Sequence, residues 1–181
     1  SSGSSDVLEA LGVSLTLNPG QIADCIESVG VGFMFAPAHH GAMKYAVGPR
    51  KDLGMRTLFN VLGPLTNPAR VRRQVLGVYD AALCEPLARA LQQLGSTHTL
   101  VLHSEDGLDE ISVASPTHGV ELKGGVLAPV TIEPSEYGHG FESLDGLQVE
   151  TADASAALIQ SAFAGDQDAA SRKARAIIAL N

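Results

Sequence analysis

A short apolar run, an amphipathic helix pattern and a second apolar run follow one another in the middle of the chain. QVLGVYD (74–80) and THTLVLHS (97–104) have the composition of buried strands, and LCEPLARALQQLG (83–95) between them has apolar residues at helical spacing. Strand–helix alternation of this kind is typical of parallel sheets, because the helix carries the chain back to the starting edge. We therefore predict an α/β protein with a mainly parallel sheet flanked by helices.

The remaining segments extend this alternation. VGFMF (31–35) is a continuous apolar run, which predicts a strand covered on both faces. HGVELKGG (118–125) followed by VLAPVTIEP (126–134) predicts a β-hairpin at one edge of the sheet. Helices are predicted from residue 6 to Gly12, after Asn18-Pro19, in pieces of residues 38–66 broken at Gly48-Pro49 and Gly63-Pro64, and over 154–165 and 166–180.

Length and composition limit the class of protein. The 181 residues suffice for one domain with a substantial core, and 45% hydrophobic residues with 19 Gly and 9 Pro are typical of a turn-rich globular domain. No apolar run approaches the roughly 18 residues of a membrane-spanning helix, so no membrane partner is expected. Cys25 and Cys84 lie singly in predicted helices, which favours a reduced, cytoplasmic protein.

Charge is distributed unevenly along the chain. Between His39 and Arg73, seven Lys and Arg stand against one acidic residue, so this basic island has a net charge of +6. Because the whole chain carries −8, the other residues together carry −14. Such an acidic remainder argues against a nucleic-acid partner, whereas clustered cations can attract a small anion. A basic face exposed to solvent is equally compatible with the charge.

Two polar clusters are candidates for binding phosphate and metal. SSGSSD (1–6), ahead of a helix, offers hydroxyls and backbone N–H groups to a phosphate, although Ser5 or Asp6 could simply cap the helix. EDGLDE (105–110), after a predicted strand, offers carboxylates of the kind that hold Mg²⁺ together with phosphate oxygens. An ordinary acidic surface loop is the alternative interpretation of the second cluster.

A pair of adjacent histidines, His39 and His40, lies in APAHHGAM (36–43). Adjacent side chains point in different directions, so both rarely bind one ion, and we reject a zinc site. A loop segment or the wall of a pocket remains. Ligands of α/β sheets bind where strands end, and this cluster and the two above all lie beside predicted strand ends, which favours an anion site.

These segments, in this order, resemble the anthranilate phosphoribosyltransferase family. The matching residues are FAPAHHGAMKYAVGPRKDLGMRTLFNVLGPLTNPA (35–69), preceded by SSGSSDVLEALG (1–12) and followed by GLDEIS (107–112) and TIEPSEYG (131–138). The resemblance implies the fold shared with pyrimidine nucleoside phosphorylases, in which a large α/β domain lies beside a small helical domain. It also implies transfer of the phosphoribosyl group from phosphoribosyl pyrophosphate to anthranilate in tryptophan biosynthesis, with Mg²⁺ as cofactor and a homodimer as assembly.

The resemblance further implies roles for particular residues. Arg50 matches the arginine that holds the carboxylate of anthranilate. Asp109 and Glu110 match the acidic pair that binds Mg²⁺, and Ser4 and Ser5 lie at the end of a loop near the phosphates. No catalytic base is expected, because a weakly basic aromatic amine needs positioning more than deprotonation. The walls of the path taken by anthranilate match Ala36, Pro37, His40 (in preference to His39), Met43 and Gly63.

The chain also departs from the family pattern. The family's GTGGD pyrophosphate loop and KHGN segment do not occur in it, and Gly41 replaces a usual proline. We therefore expect residues 1–181 to be a single, incomplete α/β domain with remnants of the small helical domain, inactive alone. Two alternatives are a nucleoside phosphorylase of the same fold and a non-enzymatic relative that binds nucleic acid. The acidic charge outside the basic island argues against the second.

Overall fold

The computed structural model describes residues 3–39 and 59–181, with residues 59–61 described by their backbone alone. The chain falls into two compact units. The first comprises Ser1–Pro68 with Glu150–Ala156, and the second comprises Ala69–Val149 with Ala157–Asn181. Among the described helices, none is long and apolar enough to cross a membrane.

The first unit is helical where the structure describes it. Its clearest helix follows Asn18, whose side-chain oxygen accepts a hydrogen bond from the Gln21 N–H at 3.0 Å while the Gln21 side chain accepts from the Asn18 N–H at 2.9 Å. This reciprocal cap fixes the start of the helix, and Gly30, at φ +88°, ends it as predicted. The helices of this unit are α1 (Ser4–Ala10), α2 (Pro19–Val29), α3 (Ala36–His39) and α4 (Phe59–Leu65).

Two predictions for the first unit are wrong. Residues 31–35 form no strand, and Val31 is 69% exposed. The run packs on a helix instead, since a Cβ on Gly32 would lie 2.9 Å from the Ile22 side chain. An apolar run predicts burial, but it does not supply the partner strand that a sheet needs. The predicted break at Gly63-Pro64 is also wrong, because α4 continues to Leu65. A proline so near a helix end removes only one hydrogen bond.

The second unit is built on a four-stranded sheet. Its strands are β1 (Arg73–Gly77), β2 (His98–Ser104), β3 (Thr117–Lys123) and β4 (Val126–Ile132), in the spatial order β1-β2-β3-β4. The β1–β2 pairing is parallel, as the strand–helix–strand pattern predicts, and the β3–β4 hairpin lies at the edge as predicted. Because β2 and β3 also pair antiparallel, the sheet is mixed and not mainly parallel over the described residues.

Helices cover this sheet and close its core. Helix α5 (Cys84–Gln93) packs on β2 and β3, and its buried residues include Leu87, Ala88 and Leu91. These spacings of one and four residues place them on one face of the helix. Val101 and Leu102 of β2 are both fully buried and point to opposite faces of the sheet, so the sheet is covered on both sides there. The α/β class is confirmed. Helices α6 (Ala152–Ala164) and α7 (Ala169–Leu180) follow the sheet, and α6 spans the boundary between the two units.

Candidate functional site

The acidic cluster EDGLDE lies at the carboxyl ends of two parallel strands. Strand β2 ends at Ser104, and residues 105–110 follow directly. Strand β1 ends beside it, since Gly77 pairs with Leu102 and the Val78 N–H donates to the Leu102 carbonyl at 2.9 Å. This is the edge at which α/β sheets bind ligands. Three polar clusters were predicted at strand ends. Within the described residues, the acidic cluster EDGLDE is the one that follows a strand.

Backbone contacts hold this acidic loop in a defined shape. Gly107, at φ +89°, donates to the Ser104 carbonyl at 2.9 Å, and the Ser104 N–H donates to the Leu108 carbonyl at 2.9 Å. The loop then turns against β1, where the Asp109 carbonyl oxygen occupies the space that a Cβ on Gly77 would fill. A residue larger than glycine at position 77 would therefore displace the loop.

The first two carboxylates of the loop are engaged by neighbouring side chains. Glu105 Oε1 lies 2.7 Å from His118 Nε2. Asp106 accepts hydrogen bonds from the Ser112 hydroxyl at 2.5 Å and from the Leu108 N–H at 3.3 Å. Desolvation acts to raise the pKa of the Asp106 carboxyl, but these bonds, with those of Ser104 and Ser115, outweigh it and lower that pKa. Both side chains therefore stabilise the loop itself.

Asp109 and Glu110 differ from their neighbours. Both are exposed, and neither carboxylate has a hydrogen bond or an ion pair with any residue in 3–39 or 59–181. Partial desolvation raises the pKa of the Glu110 carboxyl, and the negative charge of Asp109 raises it further. Two unpaired, mutually repelling carboxylates are oxygen donors suited to a hard divalent cation. Both carboxylates are thus free of other protein partners among the described residues, and their role in binding Mg²⁺ stays a prediction.

The protein would supply only part of the coordination of such a cation. Over the described ranges, no three His, Cys, Asp or Glu side chains are grouped so that they could hold a metal. Mg²⁺ is commonly held by one or two carboxylates and completed by water and substrate phosphate oxygens. The Asp109–Glu110 pair therefore suits a metal that arrives with a phosphorylated substrate.

A small pocket in the first unit brings together residues predicted to contact anthranilate. Its volume is about 90 Å³, and Ala36 of α3 and Gly63 of α4 both line it. Pro37, also predicted there, is exposed and is absent from the lining. The lining residues are Met34, Ala36, His39, Gly63, Asn67 and Pro68.

His39 belongs to this pocket. Its side chain is half-buried, and its buried Nε2 has no hydrogen-bond partner among the residues that the structure describes. The sequence prediction preferred His40 to His39. The structure places His39 at the end of α3, in the lining of the pocket that Gly63 also lines. His40, Met43 and Arg50 lie outside the described residues, so their predicted roles stay predictions.

The two serines predicted near phosphate lie in the first turn of α1. Ser4 is exposed and Ser5 is half-buried. Gly3 occupies the N-cap position of this helix, so neither Ser5 nor Asp6 is its N-cap residue. Asp6 contributes instead by accepting the Gly3 N–H at 3.1 Å from within the first turn. This corrects the capping alternative and leaves the phosphate role of Ser4 and Ser5 a prediction.

The basic island is exposed where it can be followed. Arg70, Arg72 and Arg73 are exposed, and Arg72 Nε donates to the Gly95 carbonyl at 3.0 Å. The interpretation as a solvent-exposed face is confirmed for these three arginines. The other basic residues of the island lie outside the described part of the chain.

The segment TIEPSEYG forms one side of a second, larger cleft. Glu133, Pro134 and Ser135 line it opposite Ser115 and Phe141, and its volume is about 570 Å³. This cleft lies within the second unit.

Comparison with known proteins gives consistent results. A sequence model of a glycosyl transferase family, describing its α/β domain, matches residues 1–181. The anthranilate phosphoribosyltransferase of Teredinibacter turnerae is 57% identical over 181 residues, which is 100% of this chain and 53% of that protein. The enzyme of the same name from Saccharophagus degradans is 58% identical over the same shares. The chain thus spans about half the length of the curated relatives it matches.

Solved structures agree in fold. The crystal structure of anthranilate phosphoribosyltransferase from Thermus thermophilus superposes with a TM-score of 0.82 at 37% identity, covering 98% of this chain and 54% of that one. The Saccharomyces cerevisiae enzyme in complex with PRPP and Mg superposes with a TM-score of 0.85 at 26% identity, covering 97% and 50%. The predicted phosphoribosyltransferase-type fold is confirmed.

Proposed function

The chain belongs to the glycosyl transferase family whose α/β-domain model it matches, and from this membership we propose that it forms about half of an anthranilate phosphoribosyltransferase. The proposed reaction transfers the phosphoribosyl group from phosphoribosyl pyrophosphate to the amine of anthranilate and releases pyrophosphate, a step of tryptophan biosynthesis. The observation that carries the proposal is the 57% identity over all 181 residues with a relative of that name. The exposed Asp109–Glu110 pair after β2 supports the proposal, since carboxylates can hold Mg²⁺ together with phosphate oxygens.

We assign Asp109 and Glu110 the task of holding Mg²⁺ together with the pyrophosphate group. The Saccharomyces cerevisiae relative was solved with PRPP and Mg, which supports this assignment. When bound, the ion supplies positive charge that offsets the negative charge on the departing pyrophosphate. The protein's own contribution is rigidity. Gly77 and the Ser104–Leu108 hydrogen bond fix the loop before substrate arrives, so less reorganisation is needed during the reaction.

We assign recognition of anthranilate to the other unit. Ala36, Gly63 and His39 line one pocket, and the first two put little side-chain bulk into it. Arg50 is proposed to bind the carboxylate of anthranilate, since a guanidinium can donate two parallel hydrogen bonds to it. The proposed function of these residues is to orient the amine towards the anomeric carbon, with no side chain acting as a general base. Pro37, His40 and Met43 are proposed as further parts of the wall.

The remaining parts of the proposal concern the whole enzyme. Ser4 and Ser5 are proposed to lie near the phosphates of the sugar substrate. The chain is proposed to be one incomplete α/β domain with remnants of the small helical domain. The glycine-rich pyrophosphate loop and the rest of the helical domain are proposed to come from the other half of the enzyme. A homodimer in the cytoplasm is proposed for the complete protein, with neither nucleic acid nor membrane as a partner.

The proposed function is tested with the full-length protein that carries this chain. Anthranilate is fluorescent, so its consumption is followed directly after phosphoribosyl pyrophosphate and Mg²⁺ are added, and released pyrophosphate is measured in parallel. We expect equal amounts of anthranilate consumed and pyrophosphate released. Phosphorolysis of a pyrimidine nucleoside by the same folded sample, without loss of anthranilate, would overturn the proposal in favour of a nucleoside phosphorylase.

A further inference from the structure

The side chain of Asn181 joins the end of α7 to the residue that follows the acidic pair. Its Oδ1 accepts a hydrogen bond from the Ile111 N–H at 2.8 Å, and its Nδ2 donates to the Ile111 carbonyl at 3.0 Å. The same Nδ2 donates to the Ile177 carbonyl at 3.1 Å within the last turn of the helix. One amide group thus binds both backbone groups of Ile111 across 70 positions of sequence.

The Ile111 N–H belongs to the peptide group that directly follows Glu110. Hydrogen bonding at this N–H therefore restricts rotation of the backbone that carries the Glu110 side chain. On the other side of the pair, the Leu108 carbonyl accepts from the Ser104 N–H at 2.9 Å, and the Asp109 carbonyl lies against Gly77. Ile111 itself is only 5% exposed. Asp109 and Glu110 are thus the two exposed residues between fixed points on both sides.

Only asparagine meets the chemical requirement at this position. Binding the N–H and the carbonyl of one residue needs an acceptor and a donor on the same planar group, which an amide provides. A carboxylate of the same length cannot donate, and a glutamine places its amide one methylene farther from the helix. The ligands of metal sites are commonly oriented by such outer hydrogen bonds.

We propose that Asn181 is a positioning residue for the metal-binding pair Asp109–Glu110. It acts through Ile111, and it fixes the direction in which the two carboxylates meet the cation that accompanies pyrophosphate. This inference rests on the proposed function, in that it takes the pair to bind Mg²⁺ with pyrophosphate.

The test compares Asn181→Ala with a matched control in the full-length protein. Gln92 makes a similar connection elsewhere in the same unit, since its Nε2 donates to the Gly125 carbonyl at 2.8 Å. Gln92→Ala therefore also removes one amide that joins a helix to a distant backbone group. That group lies near the start of β2, where Lys123 pairs with His98, whereas the acidic loop follows the other end of the strand. Asn181→Gln keeps the amide and the neutral charge, and it carries the test if the alanine variant fails to fold.

Two readouts are used, and neither depends on turnover. The first is deuterium exchange of the Ile111 amide, and the second is calorimetric binding of Mg²⁺ in the presence of pyrophosphate. For Asn181→Ala we expect faster exchange at Ile111 and about tenfold weaker Mg²⁺ binding, the lower end of what loss of an outer hydrogen bond does to metal sites. Asn181→Gln should give exchange and Mg²⁺ binding between those of Asn181→Ala and the unmodified protein. Gln92→Ala should match the unmodified protein in both measurements.

Faster exchange with unchanged Mg²⁺ binding would overturn the proposal, because Asn181 would then only stabilise the fold. Equal weakening by Gln92→Ala would overturn it as well, and so would a failure of the unmodified protein to bind Mg²⁺ with pyrophosphate. If the unmodified protein binds both but leaves anthranilate unconsumed, the proposed transfer reaction fails while the binding comparison still decides the role of Asn181.

Discussion

Gly77 and Asp109 are in such close contact that a side chain on the first would occupy the position of the backbone of the second. A Cβ on Gly77 would overlap the carbonyl oxygen of Asp109. Backbone cannot rotate aside as a flexible side chain can, so the last residue of β1 determines where the acidic loop lies. The proposed metal site is therefore built partly by the absence of a side chain on a neighbouring strand.

Gly77→Ala is expected to destabilise the protein. Forcing a methyl group into a filled space commonly lowers the free energy of unfolding by about 1–3 kcal/mol. Gly63→Ala is the control, because nothing described lies within 4 Å of a Cβ built there, and alanine favours a helix. Denaturant unfolding of the full-length variants measures both. An unfolding free energy for Gly77→Ala equal to that of the control would show that the loop is free to move.

The pH dependence of stability should report the hydrogen bonds of Asp106. The pKa of its carboxyl is lowered in the folded state, so its ionised form stabilises the fold above the ordinary pKa of aspartate, about 3.9. That contribution is lost as the pH falls through the lowered value. Asp106→Asn should therefore be less stable than the unmodified protein at pH 7, with a difference that shrinks as the pH falls below 4. A difference independent of pH would contradict the account.

Local sequence signals predicted the elements whose ends are determined locally. Asn18-Pro19 and Gly30 bound a helix through caps formed by residues three or four positions apart, and the β3–β4 hairpin needs only a short turn. VGFMF was misassigned because an apolar run is also compatible with packing on a helix. The contacts of Gly77 with Asp109 and of Asn181 with Ile111 join distant positions, and no local pattern marks them.

In the candidate site, too, the sequence predicted some residues and missed others. The acidic pair Asp109–Glu110 was predicted by its place after a strand and by the family resemblance, and the structure leaves both carboxylates exposed. His39 was missed because sequence alone does not tell which of two adjacent side chains faces a pocket. The structure places the side chain of His39 in the lining of a pocket with Ala36 and Gly63, and the role of His40 stays a prediction.

Arg50→Ala should selectively impair recognition of anthranilate. Loss of a bidentate contact between guanidinium and carboxylate in a partly dry site is worth roughly 2–5 kcal/mol. We expect a strong increase in KM for anthranilate and little change in KM for phosphoribosyl pyrophosphate. Lys51→Ala removes one positive charge from the next position and serves as control. Equal increases for both substrates would show that Arg50 acts on the phosphates or on the fold.

The 181-residue chain alone should not catalyse the transfer. It contains no GTGGD sequence, the pyrophosphate loop that the family resemblance implies, and it spans about half of its curated relatives. We therefore expect that it does not supply the backbone donors that would surround pyrophosphate. The fluorescence assay with phosphoribosyl pyrophosphate and Mg²⁺ measures this on a sample whose mass has been verified. Turnover within about tenfold of a full-length relative would mean that a second phosphate-binding loop exists within these residues.

The double substitution Asp109→Ala with Glu110→Ala tests the central claim most directly, namely that these carboxylates hold the Mg²⁺ that accompanies pyrophosphate. The control is Asp24→Ala with Glu27→Ala, which removes two exposed carboxylates from α2 and changes the net charge equally. Turnover of anthranilate by the full-length protein is measured across Mg²⁺ concentrations, with circular dichroism to verify folding. We predict that the first variant folds and loses Mg²⁺-dependent turnover, while the control keeps it. Unchanged turnover of the first variant at limiting Mg²⁺ would contradict the account.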